Sequence, residues 1–488
     1  MDLEGVKKIY FVGIGGIGMS AAAGIAREAG FEVAGSDSKE IYAPAKDVLK
    51  NFDIRYHAGY SEEQAKNSKA GVFVLSSGED LHNPEVKYVY ENNLPHCSFA
   101  ELLCEITKEK LRIVVTGTHG KSTTTGLLGH VLKNIDDSSF MAGAVLKNYN
   151  SNFYTGDGHY FVFEGDEYKA EWDDPTPKFH FYKPDILVLT NMEYDHPDLF
   201  ASFEDYKSEF ARLIEDLPSD GLIVYNADDP ELAKLVHESN VSSVSFGIDN
   251  EADYRAEQIK FDADYTNIEV MNKFSNNITS KLLGQTEQYK TQLPGKINVY
   301  NVLAVIATLR ALGFSQEQIA LEILSYQGVK RRFEIIGKKN GVTLVDDYAH
   351  HPSEVKLTLE AARLKYPDSK IWAVFEPHTF SRTEATLQDL AKSFNSADEV
   401  LISKIYPARE KFKEGMITSE KVVEEIKKEY SPPARGGERD GGSDIVRLVD
   451  SKQQAMDIIK SEAKEGDVVI VMAVGDFNRL SYELKEVL

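Results

Sequence analysis

Residues 111–133 read LRIVVTGTHGKSTTTGLLGHVLK, and this stretch limits the possible folds more than any other. An apolar run suited to a buried strand enters a glycine loop, which opens directly into a helical pattern. The glycines let main-chain N–H groups approach an anion closely, and the helix that follows adds its own unsatisfied N–H groups. Gly117, Thr118, His119, Gly120, Lys121, Ser122 and Thr123 therefore form a candidate phosphate loop. Lys121 can reach terminal phosphates, and the Ser122 hydroxyl can ligate magnesium. The loop reads GxxGKST, shorter than the commoner GxxxxGK[ST]. Strand, loop and helix in this order place the segment in an α/β sheet.

The same logic extends in both directions. KKIYFVGIGG, FEVAGSD and AGVFVLSS read as strands, with helices over MSAAAGIAREAG and NPEVKYVYENN between and after them. Downstream, HYFVFEGD, PDILVLTN and GLIVYNAD are further apolar strands. Residues 251–292 alternate instead, which predicts an antiparallel extension or a small separate sheet. A third α/β pattern begins near residue 330 with VTLVDDYA and KIWAVFEP. At 488 residues the chain is too long for one core, so three units are expected: 1–108, 109–326 and 327–488. The string YSPPARGGERDGGSD at 430–444 is expected to be a mobile loop.

A net charge of -23 opposes non-specific attraction to nucleic acid or anionic membrane, so neither is expected as a partner. No apolar run is long enough to span a bilayer, no signal peptide is expected, and Cys97 and Cys104 cannot build a disulfide framework. A cytoplasmic protein with inert thiols is the expectation. The spacing in CSFAELLC predicts that both thiols lie on one helical face.

Further polar clusters stand at strand ends. Glu164, Asp166 and Glu167 follow FVF, and Glu193, Asp195 and His196 follow ILVLTN. Ligands gather at the carboxyl ends of strands in open α/β sheets, so both clusters are expected near the phosphate loop. Ser122 and Glu164 offer hard oxygens for magnesium, and His196 either ligates the ion or orients a carboxylate. At the start of the chain, Gly13, Gly15 and Gly18 form GxGxxG, with Asp37 ending the next strand. This turn offers backbone donors to a phosphate, whether from a nucleotide-linked substrate or a redox cofactor. In the third unit, Arg331 or Arg332 can meet a nucleotide phosphate, while His351 and Arg382 can receive an amino acid, Arg382 through its carboxylate. Asn298 and Asn301 place two amides on one helical face. Together these features suggest transfer of a phosphoryl group from ATP to a carboxylate, followed by attack of an amine. A nucleotide-regulated binding module would leave the magnesium cluster without a task.

The motifs GIGGIGMS (13–20), GSD, TGTHGKSTTT, TNMEYDH, LPGKINVYNVLA, GVKRRFE, DDYAHHPSEV and VFEPHTFSRT together resemble the Mur ligase family of peptidoglycan synthesis. That resemblance implies N- and C-terminal Rossmann-like domains flanking a central P-loop ATPase-like domain. It implies UDP-N-acetylmuramate on Gly13, Gly15, Gly16, Ile17, Gly18 and Asp37, and ATP on the loop with Asn301, Arg332 and Asp346. It also implies magnesium at Ser122, Glu164 and His196, and the incoming amine at His351 and Arg382. Lys121, Glu164, His196 and Arg382 become the catalytic set. The amine is L-alanine or the murein tripeptide L-alanyl-gamma-D-glutamyl-meso-diaminopimelate. Members that add alanine carry EADES where this chain has EGDEYKAEWDDPTPKFHFYKPD, an insertion similar to the tripeptide-adding members.

Overall fold

The computed structural model describes residues 2–195, 199–274, 284–408, 410–431 and 445–488. The first sheet has five strands in the order Arg55–Ala58, Glu32–Asp37, Lys8–Val12, Val72–Leu75, His96–Cys97. All neighbours run parallel. Parallel strands are covered on both faces, which is why IYFV and VFVL carry no alternation of apolar and polar residues.

The second sheet has ten strands. At its centre, Leu111–Thr116 lies between Ile186–Leu189 and Tyr160–Glu164, all parallel. Three strand ends thus deliver GTHGKS, TNME and EGDE to one edge. Ser139–Leu146 and Ser151–Tyr154 form an antiparallel pair on one side. On the other, Leu222–Asn226 and Ser242–Gly247 lead to Tyr254–Phe261, Thr266–Asn272 and Gln285–Thr291. The alternating region is therefore not a separate small sheet. It joins the central one through parallel pairing of Phe246 with Tyr254, and burial alternates at every residue of Thr266–Asn272.

The third sheet runs Glu334–Lys339, Val342–Asp347, Val468–Met472, Ile371–Phe375, Glu399–Ile402, Val446–Leu448. It is parallel except at its Glu334–Lys339 edge. By packing, the chain forms two compact units. One holds Met1–Gln258, Ile268–Tyr289 and Tyr300–Gln327; the other holds Ile259–Asn267, Lys290–Val299 and Gly328–Leu488. Within the first, one apolar core runs from Ile9 and Phe11 to Phe163 and Phe210, joining the first two sheets.

The two cysteines do not share a helix. Cys97 is buried on the short His96–Cys97 strand, and Cys104 lies on helix Phe99–Ile106. Ser98 starts that helix in a capping box with Glu101, which stops it from reaching back to Cys97. Burial pushes the Cys97 thiol well above its ordinary range, consistent with an inert group. From residue 432 onward, the loop expected to be mobile lies outside the described residues. Among the described residues, no helix is long and apolar enough to cross a membrane.

Candidate active site

The phosphate loop begins where Leu111–Thr116 ends and closes into helix Lys121–Asp136. Gly120 is the residue before the helix, at φ +84°, and a Cβ there would stand 2.4 Å from Asn301 Oδ1. Only glycine satisfies both demands. Thr190 and Asn191, ending the next strand, clamp the loop from below. The Thr190 hydroxyl and the Asn191 amide donate to the His119 carbonyl at 2.8 and 2.9 Å, and the His119 N–H donates to Asn191 Oδ1 at 2.8 Å. His119 Nε2 meets Glu193 Oε2 at 3.0 Å. Thr124 donates from the first helical turn to Asn301 Oδ1 at 3.1 Å, which brings the helix Lys296–Ala311 to the loop.

Lys121 is folded back on its own loop. Its Nζ donates to the carbonyls of Gly117 and Thr118 at 2.6 and 3.1 Å, and to Glu167 Oε1 at 2.9 Å. Burial works to lower the ammonium pKa, but Glu167, Asp166 and Glu164 together raise it above its ordinary value. The Ser122 hydroxyl donates to Glu164 Oε1 at 2.8 Å, and the Gly143 N–H donates to Glu164 Oε2 at 2.5 Å. Burial pushes the Glu164 carboxyl up, against the pull of those two donors and of Lys121. A second cation beside this carboxyl would favour its ionised form. Ser122 and Glu164 are a hard-oxygen pair of the kind magnesium takes.

Thr123 is buried in the first turn of the helix, behind the loop. His196 lies outside the described residues. In the sequence, Glu167 and Glu193 fall in acidic clusters that assign neither of them a task. The structure makes them the partners of Lys121 and His119. Their position at the ends of apolar strands was the available signal.

In the first sheet, the Gly15 N–H donates to Asp37 Oδ2 at 2.8 Å, and Gly13 and Ile14 donate to the Ser36 carbonyl, both at 2.9 Å. Gly16 is the residue before helix Ile17–Glu28, and Ile17 is partly exposed at its start. The packing at Gly18 is close: a Cβ would be 3.2 Å from the Phe99 ring. The predicted turn is thus formed by Gly13, Gly15, Gly16, Ile17 and Gly18, with Asp37 bound to its backbone.

The second compact unit gathers its own cluster. His351 precedes helix Pro352–Lys365 and is buried. Glu354, three residues on, accepts from Arg332 Nη1 at 2.9 Å and from the His350 N–H at 3.2 Å. Arg382 is buried, with Nη1 3.3 Å from His378 Nδ1, and the His378 ring meets the His350 ring at 5.5 Å. Asp346 lies beside Arg331 at 3.7 Å and Tyr482 at 3.4 Å. Burial pushes its carboxyl up to about 7.

Three family models match successive parts of the chain. The Mur ligase catalytic domain matches residues 8–111, the Mur ligase middle domain 115–309, and the Mur ligase glutamate ligase domain 331–475. A UDP-N-acetylmuramate–L-alanine ligase of Clostridium acetobutylicum is 37% identical over 96% of this chain and 95% of its own length. The chain belongs to the Mur ligase family. Another relative of the same description, from Alkaliphilus metalliredigens, is 34% identical over 98% of this chain and 96% of its own. Among solved Mur ligases, the UDP-N-acetylmuramate–alanine ligase of Thermotoga maritima superposes with a TM-score of 0.77 at 25% identity, covering 98% of each chain. A murein peptide ligase of Psychrobacter arcticus gives 0.68 at 26% identity, again over 98% of each.

Proposed function

We infer that this chain joins L-alanine to the lactyl carboxylate of UDP-N-acetylmuramate at the expense of ATP, releasing ADP and phosphate. The observation that carries this reading is end-to-end similarity to ligases named for that reaction, with a complete phosphate loop in place. The reaction belongs to peptidoglycan synthesis. We assign UDP-N-acetylmuramate to residues 1–108, ATP to 109–326 and the amino acid to 327–488.

In this reading, Lys121 leaves its loop carbonyls for the terminal phosphate of ATP, and its charge offsets that of the approaching carboxylate. Ser122 and Glu164, together with His196, would hold magnesium, which would supply positive charge opposite the transferred phosphoryl group. Glu167 keeps Lys121 protonated and aimed at the loop. The carboxylate becomes an acyl phosphate, and the amine attacks its carbonyl carbon and displaces phosphate. Asn301, Arg332 and Asp346 are assigned to the nucleotide. The turn of Gly13, Gly15, Gly16, Ile17 and Gly18 with Asp37 is assigned to the UDP group. His351 and Arg382 are assigned to the amino acid, where the Arg382 guanidinium suits its carboxylate.

Release of ADP should require both UDP-N-acetylmuramate and L-alanine. Release that ignores the amine would overturn the reading. Lys121→Ala should lower kcat at least about a hundred-fold with the fold intact, as judged by circular dichroism. The insertion after Glu164 and the likeness to a murein peptide ligase favour one second amine, the murein tripeptide. Parallel kcat/KM measurements with the two amines decide between them.

A further inference from the structure

The insertion at 168–184 has no part in the chemistry above, yet it starts directly after Glu167, and its Lys178 returns to Asp166. It leaves the acidic strand end at Glu167 and folds on itself through the bridge between Lys169 and Pro177. A short helix, Lys178–Phe181, follows. Phe179 and Tyr182 anchor the insertion in the core: Tyr182 stacks on Phe163 at 4.5 Å, and Phe179 meets Phe210 at 5.6 Å. Its far side reaches the first sheet's helices. Trp172 packs on Tyr90 at 5.9 Å, and the Tyr90 hydroxyl donates to the Asp173 carboxylate at 3.1 Å.

Lys178 sits at the centre of this arrangement. Its Nζ donates to Asp166 Oδ2 at 2.7 Å and lies over the Phe99 ring, 5.6 Å from the centroid. Phe99 is the side chain that packs on Gly18 of the glycine turn. Asp166 is one residue from Glu167, which holds Lys121. A continuous series of contacts therefore runs from Gly18 through Phe99, Lys178 and Asp166 to the backbone that carries Glu167.

We propose that Lys178 is a positioning residue that ties the glycine turn of the first sheet to the acidic strand end beside Lys121. The inference rests on the function proposed above, because it gives the turn and the loop their substrates. Holding the two at fixed separation fixes where a carboxylate bound at one meets the phosphate bound at the other, and misplacement by about 1 Å can cost a hundred-fold in rate. Lys178 is largely buried, but Asp166 is 40% exposed and stays in contact with water when Lys178→Met fills the buried stem with an apolar chain, so the loss is expected in catalysis rather than folding.

The test compares wild type, Lys178→Met, Lys178→Arg, Asp166→Asn and the Lys178→Met/Asp166→Asn double variant. The readouts are kcat, KM for each substrate and thermal midpoint. Wild-type turnover that depends on both UDP-N-acetylmuramate and amine first secures the parent reading independently. Lys178→Met should then lower kcat roughly ten-fold or more with a nearly unchanged midpoint. Lys178→Arg should recover most of the loss, and the double variant should be no worse than the poorer single one. Unchanged kcat in Lys178→Met overturns the proposal. So does a loss that tracks unfolding, no recovery with arginine, or additive losses in the double variant.

Discussion

At the scale of single residues, the phosphate loop is held by shape as much as by charge. Gly120 combines a left-handed backbone with a neighbour where its Cβ would stand, so Gly120→Ala must displace Asn301 or twist the loop. We expect a stability loss of about 1–2 kcal/mol and a much larger fall in turnover, read from urea unfolding and kcat together. Equal ATP turnover in that variant would mean that the loop tolerates a different path. The loop was legible in the sequence because strand, glycines, lysine and hydroxyl are contiguous. The partners of Lys121 and His119 were less so. Glu167 and Glu193 reach them from other strands, 46 and 74 residues away, and spacing along the chain carries no information on which acid of a cluster turns inward.

Elements show the same division. The parallel strands were legible because burial on both faces leaves unbroken apolar runs. The alternating strands after residue 251 were legible as strands, but alternation does not say which sheet they join. A seven-residue spacing suits a helix and so predicts one face for Cys97 and Cys104, whereas the Ser98 cap starts the helix at Phe99, two residues after Cys97. On helix Lys121–Asp136, His130 is buried between the Tyr149 hydroxyl at 2.6 Å and the Ser325 hydroxyl at 2.7 Å. Burial pulls its imidazole down to about 4, from an ordinary value of 6.5. With the folded pKa below the unfolded one, its contribution is present above about pH 6.5 and is lost as pH falls toward about 4. Between pH 7 and pH 5 this should cost about 2 kcal/mol, seen as the difference between wild type and His130→Gln in urea unfolding at the two pH values. Parallel slopes for the two proteins would show that the imidazole titrates alike in the folded and unfolded states.

At the scale of the whole molecule, the net charge of -23 sets a background of self-repulsion. Raising ionic strength from about 10 mM to about 150 mM should raise the thermal midpoint, since the screening length falls from about 30 to about 8 Å. ATP with magnesium should raise it further, by about 2.7 kcal/mol of stability at a hundred times Kd, and Lys121→Ala should lose most of that gain in a thermal-shift titration. The second compact unit is also discontinuous along the chain, because Ile259–Asn267 and Lys290–Val299 belong to it along with everything from Gly328 onward. The two segments are fitted closely to the rest. A Cβ on Gly295 would stand 2.5 Å from Ala361, and Lys365 donates to the Ala263 carbonyl. A gene fragment beginning at residue 328 would thus encode a body missing two of its own pieces, and the surface around Ala361 that they cover would be laid bare to solvent.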